Sequence, residues 1–138
     1  MPPRKKGVRK VNKARRSKEW ARAYGSLERC FYVAQLACVV PWCYTRGWME
    51  NAHIETGGMG MKADATKVVP ACAYHHRTGD LSMHNGIKTF QSDTGVDLEE
   101  AARLTEESWL RYGQDTVERA KKDGSYARWL ARHEGADE

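Results

Sequence analysis

Three cysteines and four histidines fall between Cys38 and His84, in the strings CVVPWC, AHIETGGMGMKADATKVVPAC and AYHHRTGDLSMH. Their types and spacing suit metal binding first. Zinc takes four Cys or His ligands in a tetrahedron, and structural sites commonly draw them as two close pairs. Cys38 and Cys43 supply one pair, around a turn that Pro41 helps to fold back. Cys72-x-x-His75 supplies the second, because residues three apart on a helical turn point the same way. His76 is the alternative fourth ligand; His75 is preferred because that leaves His76 for other chemistry. Buried thiols beside surface histidines would account for the residues but not for the paired spacing. Cys30 stands outside the pattern and reads as a core thiol.

Subtracting those ligands leaves His53, His76 and His84 close by in sequence. Hydrolysis of a phosphodiester needs a base to activate water and a divalent cation to stabilise the charge that develops. A neutral imidazole at a strand end suits the first task, and imidazole or carboxylate groups on a facing helix suit the second. Spare surface histidines beside a zinc site are the competing reading.

The elements that must hold these groups are short. The stretch Trp48 to Ile54 predicts a strand ending on His53, and Lys67 to Pro70 a second strand that Pro70 terminates. Between them ETGGMGMKADAT, with Gly57, Gly58 and Gly60, reads as a loop in which Asp64 closes a turn or serves the site. Cys72 to Thr78 reads as the opening of a helix. Upstream, Ser17 is placed to cap a helix through Tyr24, and Leu27 to Leu36 forms a second apolar segment. Downstream, Asp97 caps an amphipathic helix that Gly113 ends, and a last helix covers about Asp115 to Arg132.

The ordered combination resembles the HNH endonuclease superfamily. It carries AHIETGGMGMKADATKVVPACAYHH, then MHNGIKTF, then TGVDLEEAARL. More narrowly, it is similar to the phage-associated recombination-enhancement (Ref-like) nucleases, over about Cys38 to Leu104, nearly half of the chain. The resemblance implies an α+β fold with a small ββα-metal core stapled by a zinc knuckle and flanked by N- and C-terminal helices. It implies that His53, closing the first strand, is the general base. It also implies that His76 and His84 hold Mg²⁺ or Mn²⁺, while Cys38, Cys43, Cys72 and His75 hold structural zinc. The expected activity is that of a DNA endonuclease or nickase. The chain departs from the pattern in places. Ala52 stands where many members have an Asp or His ligand, and Lys67 stands near the expected Asn, so Asp64 is a candidate to take over that role. Seven residues separate His76 from His84, which is long for this branch.

The 138 residues divide by composition into a basic arm (1–17), a core (18–96) and a helical extension (97–138). Net charge is +5, and ten of the 23 Lys and Arg lie in the first 22 residues, opposed there only by Glu19. An uneven excess of this kind suits a polyanion, so the expected partner is DNA, bound with low sequence specificity; RNA is the lesser candidate. Arg4, Lys5, Lys6, Arg9, Lys10, Lys13, Arg15 and Arg16 in the arm, with Lys62 and Arg77 near the site, are the candidate phosphate contacts. Affinity should then fall with salt, with a log–log slope of about −0.9 per contact. There is no signal-like apolar region and no run of membrane-spanning length, so no membrane partner is expected. Reduced thiols fit the cytoplasm, that of a bacterial host if the chain is phage-encoded. A reading from another class keeps the zinc and drops catalysis: a zinc-knuckle module that binds nucleic acid.

Overall fold

Two strands, β1 (Glu50–His53) and β2 (Val68–Ala71), pair antiparallel with Glu50 opposite Ala71 and His53 opposite Val68. They belong to a computed structural model that describes residues 13–54 and 63–135. An isolated two-stranded ribbon is marginal in water, so its stability has to come from what packs on it. Ala52, Val69 and Ala71 are fully buried in a core with Val40, Met83, Phe90 and Leu98. The chain is thus a mixture of helices and one small antiparallel sheet. Pro70 does not end β2, which runs on to Ala71. Proline is tolerated within a ribbon because each strand has an unpaired edge; the Pro70 carbonyl still accepts from the Val39 amide at 2.8 Å.

Five α-helices surround the ribbon among the described residues: α1 (Lys13–Tyr24), α2 (Leu27–Ala34), α3 (Ile87–Thr94), α4 (Leu98–Asp123) and α5 (Ser125–Gly135). α1 starts before Ser17, so Ser17 lies inside the helix and residues 13–17, assigned above to the arm, form its beginning. The Ser cap comes at the next helix: the Ser26 hydroxyl accepts from the Arg29 amide at 3.1 Å. Residues 1–12 and 55–62, which hold most of the basic arm and the glycine loop, lie outside the described residues.

α4 passes straight through Gly113 rather than ending there, and stops only at Gly124, whose φ of 87° is left-handed. Gly113 serves close packing instead. A Cβ there would run into the Trp109 ring one turn back, and Trp109 packs on Tyr32 of α2. Because it is uninterrupted, α4 spans two cores. Leu98 and Ala102 join the ribbon cluster, while Val117 and Ala120 join a second one with Cys30, Phe31, Ala34 and Trp129. Cys30 is therefore a core thiol, as its isolation in sequence suggested; burial pushes it up to about 11.

A largely buried ion pair joins α2 to α4. Arg29, whose side chain is 4 % exposed, donates from Nη2 to Glu106 of α4 at 2.6 Å. Its Nη1 is buried with no hydrogen-bond partner. Removing Glu106 strands a buried charge, and that costs far more than a surface pair is worth. Glu106→Ala should lower stability by about 3 kcal/mol, measured from the urea midpoint at constant m-value. An unchanged midpoint would mean that Arg29 finds water or another acceptor.

Candidate metal centre and histidine cleft

The Val40–Cys43 turn, closed by the Cys43 amide on the Val40 carbonyl at 2.9 Å, brings Cys43 back beside Cys38. Pro41 sits at the second position of that turn, where its fixed φ is favourable. On the other side Cys72 follows β2 directly, and the chain then makes a single wide π-type turn, Tyr74–Thr78. The regular helix expected over Cys72 to Thr78 is absent. The wide turn still places His75 beside Cys72, with Nδ1 3.2 Å from the Cys72 Sγ.

All four predicted zinc ligands meet. The donor atoms of Cys38, Cys43, Cys72 and His75 lie within 4.8 Å of one another. A tetrahedral zinc, with bonds of about 2.3 Å to sulfur and about 2.0 Å to nitrogen, holds sulfurs about 3.8 Å apart and sulfur–nitrogen pairs about 3.5 Å apart. The Cys43–Cys72 separation is 3.8 Å and the Cys38–His75 separation is 3.6 Å, so the set fits such an ion. In the protein alone, burial pushes the Cys38 thiol up to about 11, and burial also lowers the pKa of His75. Cys43 is held below its ordinary value: burial works against this, but hydrogen bonds with Thr45, Cys72 and Cys38 together outweigh it. The residues are placed to bind a metal ion, and structural zinc is consistent with three sulfurs and one imidazole.

The remaining histidines converge as well. His53, His76 and His84 line one cleft of about 250 Å³ with Tyr24, Asn51 and Ile87. The His76 and His84 rings meet edge to face, with centroids 4.6 Å apart. His53 is half-buried, and its Nε2 lies 2.6 Å from the Ala23 carbonyl, one of the last carbonyls of α1. A carbonyl only accepts, so Nε2 carries the proton and Nδ1 keeps the lone pair in the neutral ring. Tyr24 packs edge-on against the same imidazole. His76 donates from Nδ1 to Glu50 at 2.8 Å, which leaves its Nε2 unprotonated when the ring is neutral. Burial lowers the His76 pKa against the pull of Glu50, favouring that neutral form. Arg77 grips both oxygens of Glu50. Burial would raise the Glu50 pKa, but Arg77 and His76 hold it below the usual carboxylate range.

Asp64 does not join this cleft. It caps the short turn Ala65–Lys67, accepting from the Thr66 amide and hydroxyl at 2.8 Å each. Lys67 reaches Glu99 of α4 at 2.6 Å, and Ala52 faces the core with no exposure. Among the candidate phosphate contacts, Arg4, Lys5, Lys6, Arg9, Lys10 and Lys62 lie outside the described residues. Lys13 opens α1, Arg15 pairs with Glu19, Arg16 is exposed, and Arg77 is engaged by Glu50. Sequence reasoning missed Glu50 and Asn51, and it reads Trp20 and Tyr24 as packing groups rather than as part of a site. Alternation along β1, which sets Asn51 and His53 on one face, was a usable signal for Asn51. Nothing in the sequence signalled Glu50 or Tyr24.

No family model matches the chain, and no curated protein or solved structure matches it either.

Proposed function

We propose that the protein is a metal-dependent DNA endonuclease or nickase of the HNH, ββα-metal type, with His53 as general base. The observation that carries this reading is the convergence of His53, His76 and His84 on one cleft beside the Cys₃His cluster. An antiparallel ribbon whose first strand ends on His53 accompanies it.

In this reading His53 takes a proton from water at Nδ1, and its Nε2–H bond to Ala23 holds the ring in the required tautomer. The resulting hydroxide attacks phosphorus, the bond to the 3′-oxygen breaks, and that oxygen leaves as a hydroxyl after protonation by solvent. The products carry 5′-phosphate and 3′-hydroxyl ends. His76 and His84 are the residues that would hold a Mg²⁺ or Mn²⁺ ion, whose charge would stabilise the phosphate and leaving oxygen. Glu50 fixes the His76 ring from behind, as carboxylates commonly do for ligating imidazoles. Glu50→Gln should therefore lower nicking about 10- to 100-fold and leave zinc content unchanged, by plasmid relaxation and metal analysis. Equal nicking by the variant would remove Glu50 from the site.

The test of the reading is relaxation of supercoiled plasmid by zinc-loaded protein with Mg²⁺ or Mn²⁺, wild type against His53→Ala. Loss of nicking in the variant supports it; absence of nicking by wild type with either ion rejects it. One observation favours the second reading, a non-catalytic zinc knuckle that binds nucleic acid. Among the described residues, only the Cys38–Cys43–Cys72–His75 set gathers three or more metal-ligating groups within 4.8 Å. Such a module would bind DNA, hold zinc and cleave nothing.

A further inference from the structure

A second and larger cavity, about 940 Å³, adjoins the histidine cleft. Tyr24 and Asn51 line both spaces, so the two are neighbours across β1 and the end of α1. The groove lies between α1 and α5, walled by Trp20 and Tyr24 on one side and Trp129 and His133 on the other. Trp20 and Tyr24 are only partly buried, with ring centroids 5.6 Å apart. Trp129 is buried, and His133 stacks on it at 4.9 Å and 14°, so the half-buried imidazole is the outer layer of that stack. Exposed Arg16 stands at the rim and makes no ion pair among the described residues. Glu50 is the one carboxylate on the wall, and Arg77 already neutralises it.

We infer that this groove takes an unpaired nucleotide of a DNA strand whose neighbouring phosphate lies in the histidine cleft. The inference rests on the nuclease reading and deepens it, by naming single-stranded or locally unpaired DNA as the substrate class. Aromatic side chains lining an open groove, with a cation at its rim, match a base and its phosphate together. Stacking on such walls needs a free π-face. In a duplex both faces of a base are covered by its neighbours, so only an unstacked base can enter. Ring stacking is also indifferent to base identity, which agrees with the low sequence specificity expected of DNA binding.

The probe is a short fluorescent oligothymidylate, set against an abasic deoxyribose-phosphate strand of equal length and charge and against the matching duplex. Binding is measured by anisotropy with zinc-loaded full-length protein and no added Mg²⁺ or Mn²⁺. The oligothymidylate should bind about tenfold more tightly than the abasic strand. Trp20→Ala should remove that difference, Trp20→Phe should keep it, and neither should alter duplex binding. The abasic comparison uses the unmodified protein, so it stands even if Trp20→Ala folds poorly. Equal affinity for the two single strands overturns the groove assignment and leaves plasmid nicking untouched. A matching oligouridylate that binds more tightly than the DNA overturns it in favour of RNA. Absence of both DNA binding and nicking brings down the nuclease reading, and the groove assignment with it.

Discussion

His53→Ala is expected to lower plasmid nicking by about 100-fold or more, the usual contribution of a positioned general base. The variant should keep its zinc, because His53 is not among the four clustered ligands. The side chain also has a structural role, since Nε2 donates to the Ala23 carbonyl and joins β1 to the last turn of α1. Losing that bond costs about 1 kcal/mol, too little to unfold the protein but enough to confuse a single-variant test. His53→Gln separates the two roles. A Gln amide can still donate to the Ala23 carbonyl but cannot accept a proton from water at neutral pH. If His53 is the base, the Gln variant melts close to wild type and is as inactive as Ala. If His53 only fastens α1 to the ribbon, Gln restores activity, and the catalytic assignment fails.

Stripping the Cys₃His centre should have the larger effect on stability. The centre joins the Val40–Cys43 turn to the turn after β2, and the ribbon between them has only two strands. Structural zinc commonly contributes about 10 kcal/mol or more to small domains, so even partial loss exceeds the worth of any surface pair here. Chelation, or Cys72→Ala, should lower Tm by about 10 °C or more. Cys30→Ala, which alters a buried thiol outside the cluster, should leave zinc content intact.

The pH dependence of metal binding has a definite sign. Zinc binds thiolate, yet the metal-free Cys38 thiol is pushed up to about 11, so binding must displace its proton at neutral pH. Apparent affinity therefore rises with pH across the neutral range, and zinc is released as pH falls. Following release with a metallochromic dye while recording Tm tests both expectations. Unchanged Tm after complete removal of zinc would mean that the cores around Phe90 and Phe31 hold the fold without the ion.

Local chemistry made the metal centre legible in the sequence. Cys38 and Cys43 flank a proline turn, and Cys72 and His75 are three apart, so each pair is close whatever the rest of the chain does. The ribbon was legible too, because β-branched Val68 and Val69 and the residues around Asn51 fall between clear turn signals. Helix ends were less so. Gly113 looks like a stop signal in sequence, but a glycine inside a helix also serves where a ring needs the space of a Cβ, and Trp109 takes it. Ser17 looks like a cap, but helical residues precede it, and the serine that does cap a helix is Ser26, at the start of α2.

What the sequence determined by itself was the set of groups capable of chemistry and the pairing of the zinc ligands, because short-range spacing fixes both. Only the tertiary structure decided which partner each free histidine has. Glu50 reaches His76 from 26 residues away, Ala23 reaches His53 from 30, and Tyr24 comes to the same cleft from α1. These contacts depend on how α1 and the wide turn after Cys72 pack against the ribbon. No spacing along the chain encodes such packing; it follows from burial of the cores on either side.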